Sequence, residues 1–326
     1  MSTIPRQATP DGPTIRRLAT QLPVAMLEPV RRVHPELELV ELPMKGPLPD
    51  APPYERFDAL LTLPNGTPNL AAVLARGVRW VHAYGTGVNG FPFALLGGVP
   101  LTCSRGASAT AISEWVIAVL LEHEKRLLEH WLAAPPPVWH RAELGTLAGR
   151  ILALVGFGGI ARAIARRALA FDMRIQALRR SDAPSDVAGV ELVRDLEALL
   201  RDADHVVIAA PETKATRHLF DDRVFAWMKP GAHLVNIARG GIVDQEALRR
   251  ALDAGRVGRA TLDCVEPEPL PAGHWLYQHP RVRVSAHISW SGSDANAVIL
   301  DAFLENLERM NRGEPLRNRV DPDEGY

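Results

Sequence analysis

Three side chains with complementary chemistry stand at comparable places in this sequence: Arg239 in NIARGG, Glu268 in LDCVEPEPLP and His287 at the close of VSAH. Each follows a short apolar run that reads as a buried strand, and open parallel sheets bind ligands at the carboxyl ends of their strands. Taken singly, each has a purely structural explanation: an arginine capping the sheet, one of two solvated carboxylates beside Glu266, a histidine satisfied in the core. Taken together they supply what reduction of a 2-oxo acid needs. When a hydride adds to the carbonyl carbon, the oxygen gains negative charge that a histidine can neutralise with a proton. A carboxylate beside the other ring nitrogen fixes the tautomer and favours the charged ring, and an arginine holds the substrate carboxylate through two hydrogen bonds.

The stretch LALVGFGGIARAIARRA, from Leu152 to Ala168, reads as a strand, a glycine turn and a helix. Gly156 suits a tight turn, and Gly158 leaves room for a phosphate against the main chain. Gly159 adds freedom, and Ala161 takes the third position of the G-x-G-x-x-G/A pattern, small enough for close helix packing. The unpaired N–H groups and positive dipole end of the next helix favour a pyrophosphate over the turn. In such a site an Asp or Glu about 20 residues further on, at the end of the second strand, binds the adenosine ribose hydroxyls. Here that strand, MRIQAL, runs into Arg179-Arg180-Ser181, and the nearest acid, Asp182, lies beyond it. Two guanidinium groups and a hydroxyl suit a ribose 2′-phosphate, so NADP(H) is the expected cofactor, with NAD(H) second.

The elements that must position these groups alternate along the chain. Strands are expected at 23–27, 37–42, 58–63, 79–83 and 100–103, with a short helix at 69–75 and a long one at 109–133 stopped by Pro135. After the long helix come strands at 151–155, 173–178, 205–210, 233–237, 259–262 and 282–286, helices at 195–201, 221–228 and 245–254, and a last helix at 294–311. Strands separated by helices at this spacing make an α/β protein: a Rossmann-type doubly wound parallel sheet preceded by a smaller α/β unit.

The composition narrows the function. With 326 residues and 47% hydrophobic content the chain can fill two ordinary domains, and a formal net charge of −1 gives no footprint for nucleic acid or anionic membrane. Cys103 and Cys264 cannot make a disulfide framework, which fits a reducing cytoplasm, and the polar start of the chain has no signal-peptide core. The apolar stretch 111–121 is interrupted by Glu114 and is too short to span a membrane. His274 and His279 form no ligand set with a nearby acid, so no metal is expected.

The glycine turn, NIARGG, LDCVEPEPLP and SAHIS, in this order and spacing, resemble the D-isomer-specific 2-hydroxyacid dehydrogenases, the family of glyoxylate and hydroxypyruvate reductases and of phosphoglycerate dehydrogenase. The resemblance runs from about residue 58 to the end and implies a small 2-oxo acid reduced to the D-2-hydroxy acid. It assigns Arg239 and His287 to substrate, with Glu268 as the partner of His287, the acid/base. Gly156, Phe157, Gly158, Gly159, Ile160, Arg179, Arg180, Ser181, Ala210, Pro211, Thr216, Ile237, Ala238 and Asp263 fall along the cofactor, Asp263 at the nicotinamide carboxamide. YGTGVN resembles the family's substrate loop, which turns the N–H groups of Gly85, Thr86 and Gly87 to the substrate carboxylate. The family also implies a dinucleotide-binding domain at 108–289, a flavodoxin-like substrate domain at 1–107 completed by 290–326, and a homodimer. The sequence departs from the family at Asn89, where aspartate is common, at Ala286, where proline precedes the histidine, at Ser108, where asparagine often sits, and at Cys264, where valine is typical. Dinucleotide-sensing corepressors of the same fold keep the same three residues and form the alternative reading.

Overall fold

The computed structural model describes residues 14–49, 55–139, 142–180 and 183–326. The chain divides into two compact units, one running to Ala107 and taking in Ser293–Tyr326, the other Ser108–Gly292. Each has its own parallel sheet.

In the first unit β1 (Arg17–Thr20), β2 (Glu38–Glu41), β3 (Ala59–Thr62), β4 (Trp80–Ala83) and β5 (Leu101–Cys103) lie in the order β2-β1-β3-β4-β5. All are parallel, which is the flavodoxin-like arrangement. The opening strand is not at 23–27 as the apolar run suggests. Leu18, Ala19 and Thr20 are fully buried in β1, while Val24–Leu27 is a 3-10 turn entered through Pro23, which has no N–H to give to a ladder. The helix Ala295–Asn311 closes this unit by stacking Phe303 on Trp80, ring centroids 5.2 Å apart. Such a pair adds about 0.5–1.5 kcal/mol beyond its burial.

The second unit carries β6 (Ile151–Val155), β7 (Arg174–Leu178), β8 (Val190–Val193), β9 (His205–Ile208), β10 (Ala232–Asn236), β11 (Val257–Leu262) and β12 (Val282–Val284). Their order, β12-β11-β10-β9-β6-β7-β8, is the doubly wound Rossmann pattern, and every neighbouring pair is parallel. The sequence pattern misses β8, an edge strand whose residues are at most half-buried and so carry no continuous apolar run. Strands expected to reach 210, 237 and 286 end at Ile208, Asn236 and Val284, where the chain turns into loops. The long helix also stops early, at Lys125, because Arg126 adopts a left-handed φ of 48°. Among the described residues no helix is long and apolar enough to cross a membrane.

At the amino ends of the central strands the second unit buries a histidine cluster. His205 and His233 are adjacent in the β9–β10 register with Nδ1 atoms 3.3 Å apart, and His123 stacks on His233 at 4.3 Å. His233 Nε2 lies 2.9 Å from Thr261 Oγ1, and His205 Nε2 lies 3.2 Å from a Glu124 carboxylate oxygen. Burial pushes the His123 ring down to about 4, helped by the charges of His205 and Arg259, and burial holds His233 well below the usual imidazole range. A histidine whose folded value is depressed leaves stability intact above its unfolded value near 6.5 and removes it as pH falls toward the folded value. We therefore expect Tm to fall steeply between about pH 6.5 and pH 4, and His233→Gln to flatten that fall. A melting series in which parent and variant run parallel across this window would contradict it.

Candidate active site

The turn after β6 lies at the topological switch point, where β6 is flanked by β7 and β9. Gly156 has φ 96°, and a Cβ there would come within 2.8 Å of the Ala210 backbone, so only glycine lets the loops after β6 and β9 meet. Gly158 precedes the helix Gly159–Leu169, and a Cβ on it would meet nothing within 4 Å. No side chain caps that helix, so its first N–H groups are left for a ligand. An uncapped helix start with open space above the glycine fits a dinucleotide pyrophosphate. Phe157 turns its side chain into the core, and Ile160 packs against the edge of that core with its side chain partly exposed.

Arg179 and Arg180 follow directly on β7, and one Arg179 guanidinium nitrogen donates to the Pro184 carbonyl at 3.3 Å. Ser181 and Asp182 lie outside the described residues. In the loop after β9, the Thr216 hydroxyl donates to the Pro211 carbonyl at 2.7 Å and accepts from the Thr213 N–H. It therefore shapes the segment from Ala210 to Thr216.

Beyond β10, Asn236 organises the turn through Ile237 and Ala238. Its Oδ1 accepts the Ala238 N–H at 3.0 Å, and its Nδ2 donates to the Arg239 carbonyl at 2.8 Å. The fully buried Asn236 thus fixes the main chain at Arg239, whose guanidinium Nη1 donates to the Ala238 carbonyl at 2.6 Å. Gly240, just after it, is buried against the Val265–Glu266 peptide, where a Cβ would overlap the Val265 carbonyl. The loops carrying Arg239 and Glu268 thus touch main chain to main chain.

The two carboxylates of VEPEP separate cleanly. Glu266 pairs with Arg217, 3.0 Å from each oxygen, while its backbone N–H and carbonyl are clamped by Gln245. Glu268 Oε2 lies 2.9 Å from His287 Nδ1, and Glu268 Oε1 accepts the Val265 N–H at 3.1 Å. Both partners are partly open to solvent, with side-chain exposures of 39% for Glu268 and 36% for His287. With the carboxylate ionised, the shared proton belongs on Nδ1 and leaves Nε2 for a reacting oxygen.

His287 does not end a strand, since β12 stops at Val284. It stands in a turn with a left-handed φ of 54°, uncommon for a side chain of this size. Asp263 holds it there. The buried Asp263 carboxylate accepts from the Ser285 hydroxyl at 2.6 Å and from the N–H groups of Ile288 and Ser289 at 2.9 and 3.1 Å, and its carbonyl accepts the His287 N–H at 3.0 Å. The role visible for Asp263 is therefore to fold the histidine loop, a role the sequence reading did not foresee. Trp290 Nε1 donates to the His287 carbonyl at 2.8 Å and closes the turn. Behind the pair, Cys264 is buried, and burial together with the Asp263 charge pushes its thiol strongly upward.

In the first unit Gly85, Thr86 and Gly87 follow β4. Gly85 has φ 143° and its carbonyl accepts the Ser104 N–H at 2.7 Å, while the Thr86 hydroxyl donates to the Ser104 carbonyl at 3.2 Å.

Residues 117–289 match the family model described as D-isomer specific 2-hydroxyacid dehydrogenase, NAD binding domain. The chain is 32% identical over 237 residues to glyoxylate reductase of Thermococcus litoralis, covering 69% of this chain and 71% of that protein. It is 35% identical over 213 residues to chloroplastic D-3-phosphoglycerate dehydrogenase 2 of Arabidopsis thaliana, covering 64% of this chain but spanning only 34% of that longer relative. Among solved structures, a D-isomer specific 2-hydroxyacid dehydrogenase from Xanthobacter autotrophicus Py2, in complex with NADPH and MES, superposes with a TM-score of 0.84 at 26% identity, covering 96% of this chain and 100% of the other.

Proposed function

Because this chain belongs to the D-isomer-specific 2-hydroxyacid dehydrogenase family, we propose that it reduces a small 2-oxo acid of the glyoxylate or hydroxypyruvate type to the D-2-hydroxy acid with NADPH. The observation that carries this reading is the 2.9 Å pair of His287 Nδ1 and Glu268 Oε2 on the sheet edge that bears Arg239. The bound cofactor supplies the hydride, two electrons and a hydrogen to the carbonyl carbon. Arg239 holds the substrate carboxylate. His287 Nε2–H gives its proton to the carbonyl oxygen as charge develops there, Glu268 steadies the ring, and the neutral imidazole recovers a proton from water.

The cofactor side of the proposal rests on Arg179 and Arg180 standing where a ribose-binding acid is expected, supported by the NADPH in the Xanthobacter relative. Each well-placed charged hydrogen bond contributes about 1.5–3 kcal/mol, so kcat/KM with NADPH should exceed that with NADH by at least about tenfold. Arg179→Asp should erase or reverse the preference. The test is a matrix of NADPH and NADH against glyoxylate, hydroxypyruvate, pyruvate and bulkier 2-oxo acids. No turnover of any acid would refute the reaction, and equal efficiency with NADH would refute the role of the arginines.

The homodimer is proposed through the segment after the long helix of the second unit. Leu128, Trp131, Leu132, Val138 and Trp139 there are 67%, 77%, 58%, 56% and 62% exposed, apolar surface that a second copy would cover. Sedimentation should find a dimer, and Trp131→Asp with Trp139→Asp should give monomers. A monomeric parent would dismiss this interface.

A further inference from the structure

Cys264 has no task in the reduction proposed above. Its Sγ, a carboxylate oxygen of Glu268 and a ring nitrogen of His287 lie within 4.8 Å of one another. We propose that these three side chains form an inhibitory site for a borderline-soft divalent cation, zinc above all. Thiolate, imidazole and carboxylate are the ligands zinc takes in proteins, and three of them with an open fourth position is a common arrangement.

The geometry is close to what the ion needs. Tetrahedral bonds of about 2.0–2.3 Å put ligand atoms roughly 3.3–3.8 Å apart, so His287 Nδ1 and Glu268 Oε2, 2.9 Å apart, must part slightly while both settle at that spacing from Cys264 Sγ. Cys264 is fixed at 1% exposure, whereas Glu268 and His287 sit on loops and are partly open to solvent. The movement falls to them, and a water can fill the fourth place.

Charge also fits. As the zinc–sulfur bond forms, the thiol proton leaves to solvent, and the resulting thiolate and the Glu268 carboxylate cancel the two positive charges of the ion, with the imidazole neutral. Supporting contacts already orient the ligands: the Val265 N–H to Glu268 Oε1, the His287 N–H to the Asp263 carbonyl, and Trp290 Nε1 to the His287 carbonyl. Magnesium, which prefers an octahedron of oxygen ligands, does not suit this set. Bound metal would hold the carboxylate and imidazole that the reduction uses, so metal binding and turnover exclude each other.

Only the inhibition rests on the proposed reaction; the metal site does not. The probe is Co2+ added to the full chain carrying Cys103→Ser, which leaves Cys264 as its sole thiol. We expect a thiolate-to-cobalt charge-transfer band saturating at one ion per chain, displaced by Zn2+, and absent from the Cys264→Val variant. Calorimetric zinc affinity at the site should drop at least about tenfold in Cys264→Val, as loss of a direct ligand should cost no less than loss of a supporting contact. Zinc should inhibit the parent reversibly with EDTA, while Cys264→Val keeps its basal rate and resists the metal. The absence of a thiolate band in the parent, or equal zinc affinity in parent, Cys264→Val and Cys264→Ala, would overturn the site. If no 2-oxo acid is turned over, the cobalt band still decides the metal site and only the reaction fails.

Discussion

His287→Ala is expected to lower kcat for 2-oxo acid reduction by about a hundredfold or more while leaving NADPH binding within about twofold of the parent. The loss corresponds to roughly 2.7 kcal/mol of transition-state stabilisation, the usual size for a positioned proton donor. Cofactor affinity should survive because the groups that shape the glycine turn, Gly156 against Ala210 and the uncapped helix at Gly159, have no bond to the imidazole. His287→Gln is the informative companion: it keeps much of the side-chain volume and can still hydrogen-bond Glu268, but it cannot deliver a proton at neutral pH. It should be nearly as slow as the alanine variant. Stopped-flow single turnovers with NADPH separate the chemical step from product release. A chemical step within about threefold of the parent in either variant would remove His287 from the reaction.

The second large effect is expected at a residue with no reactive group. Gly240→Ala should cut kcat/KM by about a hundredfold or more, because the new methyl group overlaps the Val265 carbonyl and comes within 2.5 Å of the Glu266 nitrogen. Neither side can yield cheaply, since both are main chain. The Arg239 loop must lift from the VEPEP loop, which moves the arginine away from the Glu268 and His287 pair. A misplacement of about 1 Å is enough for a loss of that size. NADPH binding, measured by fluorescence, and the melting transition distinguish a displaced site from a lost fold. Unchanged kinetics would mean that the two loops part without consequence and that their contact does not set the spacing of the site.

Much of this protein is determined by its sequence. The strand, glycine turn and helix at Leu152–Ala168 are legible because each obeys a local rule: a doubly buried strand is continuously apolar, a tight turn needs glycine, and a helix repeats every 3.6 residues. Arg239 and Glu268 are legible because each follows a strand toward the sheet edge, and all three with His287 because the motifs around them resemble a known family; the strand-end rule misplaced His287, which stands in a turn beyond β12. The tertiary structure decided what depends on partners distant in sequence. It separated Glu268 from Glu266, which look equivalent in EPEP, by giving one to His287 and the other to Arg217. It assigned Asn236 and Asp263 to folding the loops, since a buried polar side chain takes its role from the N–H and carbonyl groups that surround it. It placed the first strand at Arg17–Thr20, buried between β2 and β3 although its four residues carry no long apolar run, and it added β8 at the sheet edge, where a strand gains its stability from a neighbour's ladder and leaves little apolar pattern of its own. It also brought His123, His205 and His233 together from three separate elements, a contact that no spacing along the chain encodes.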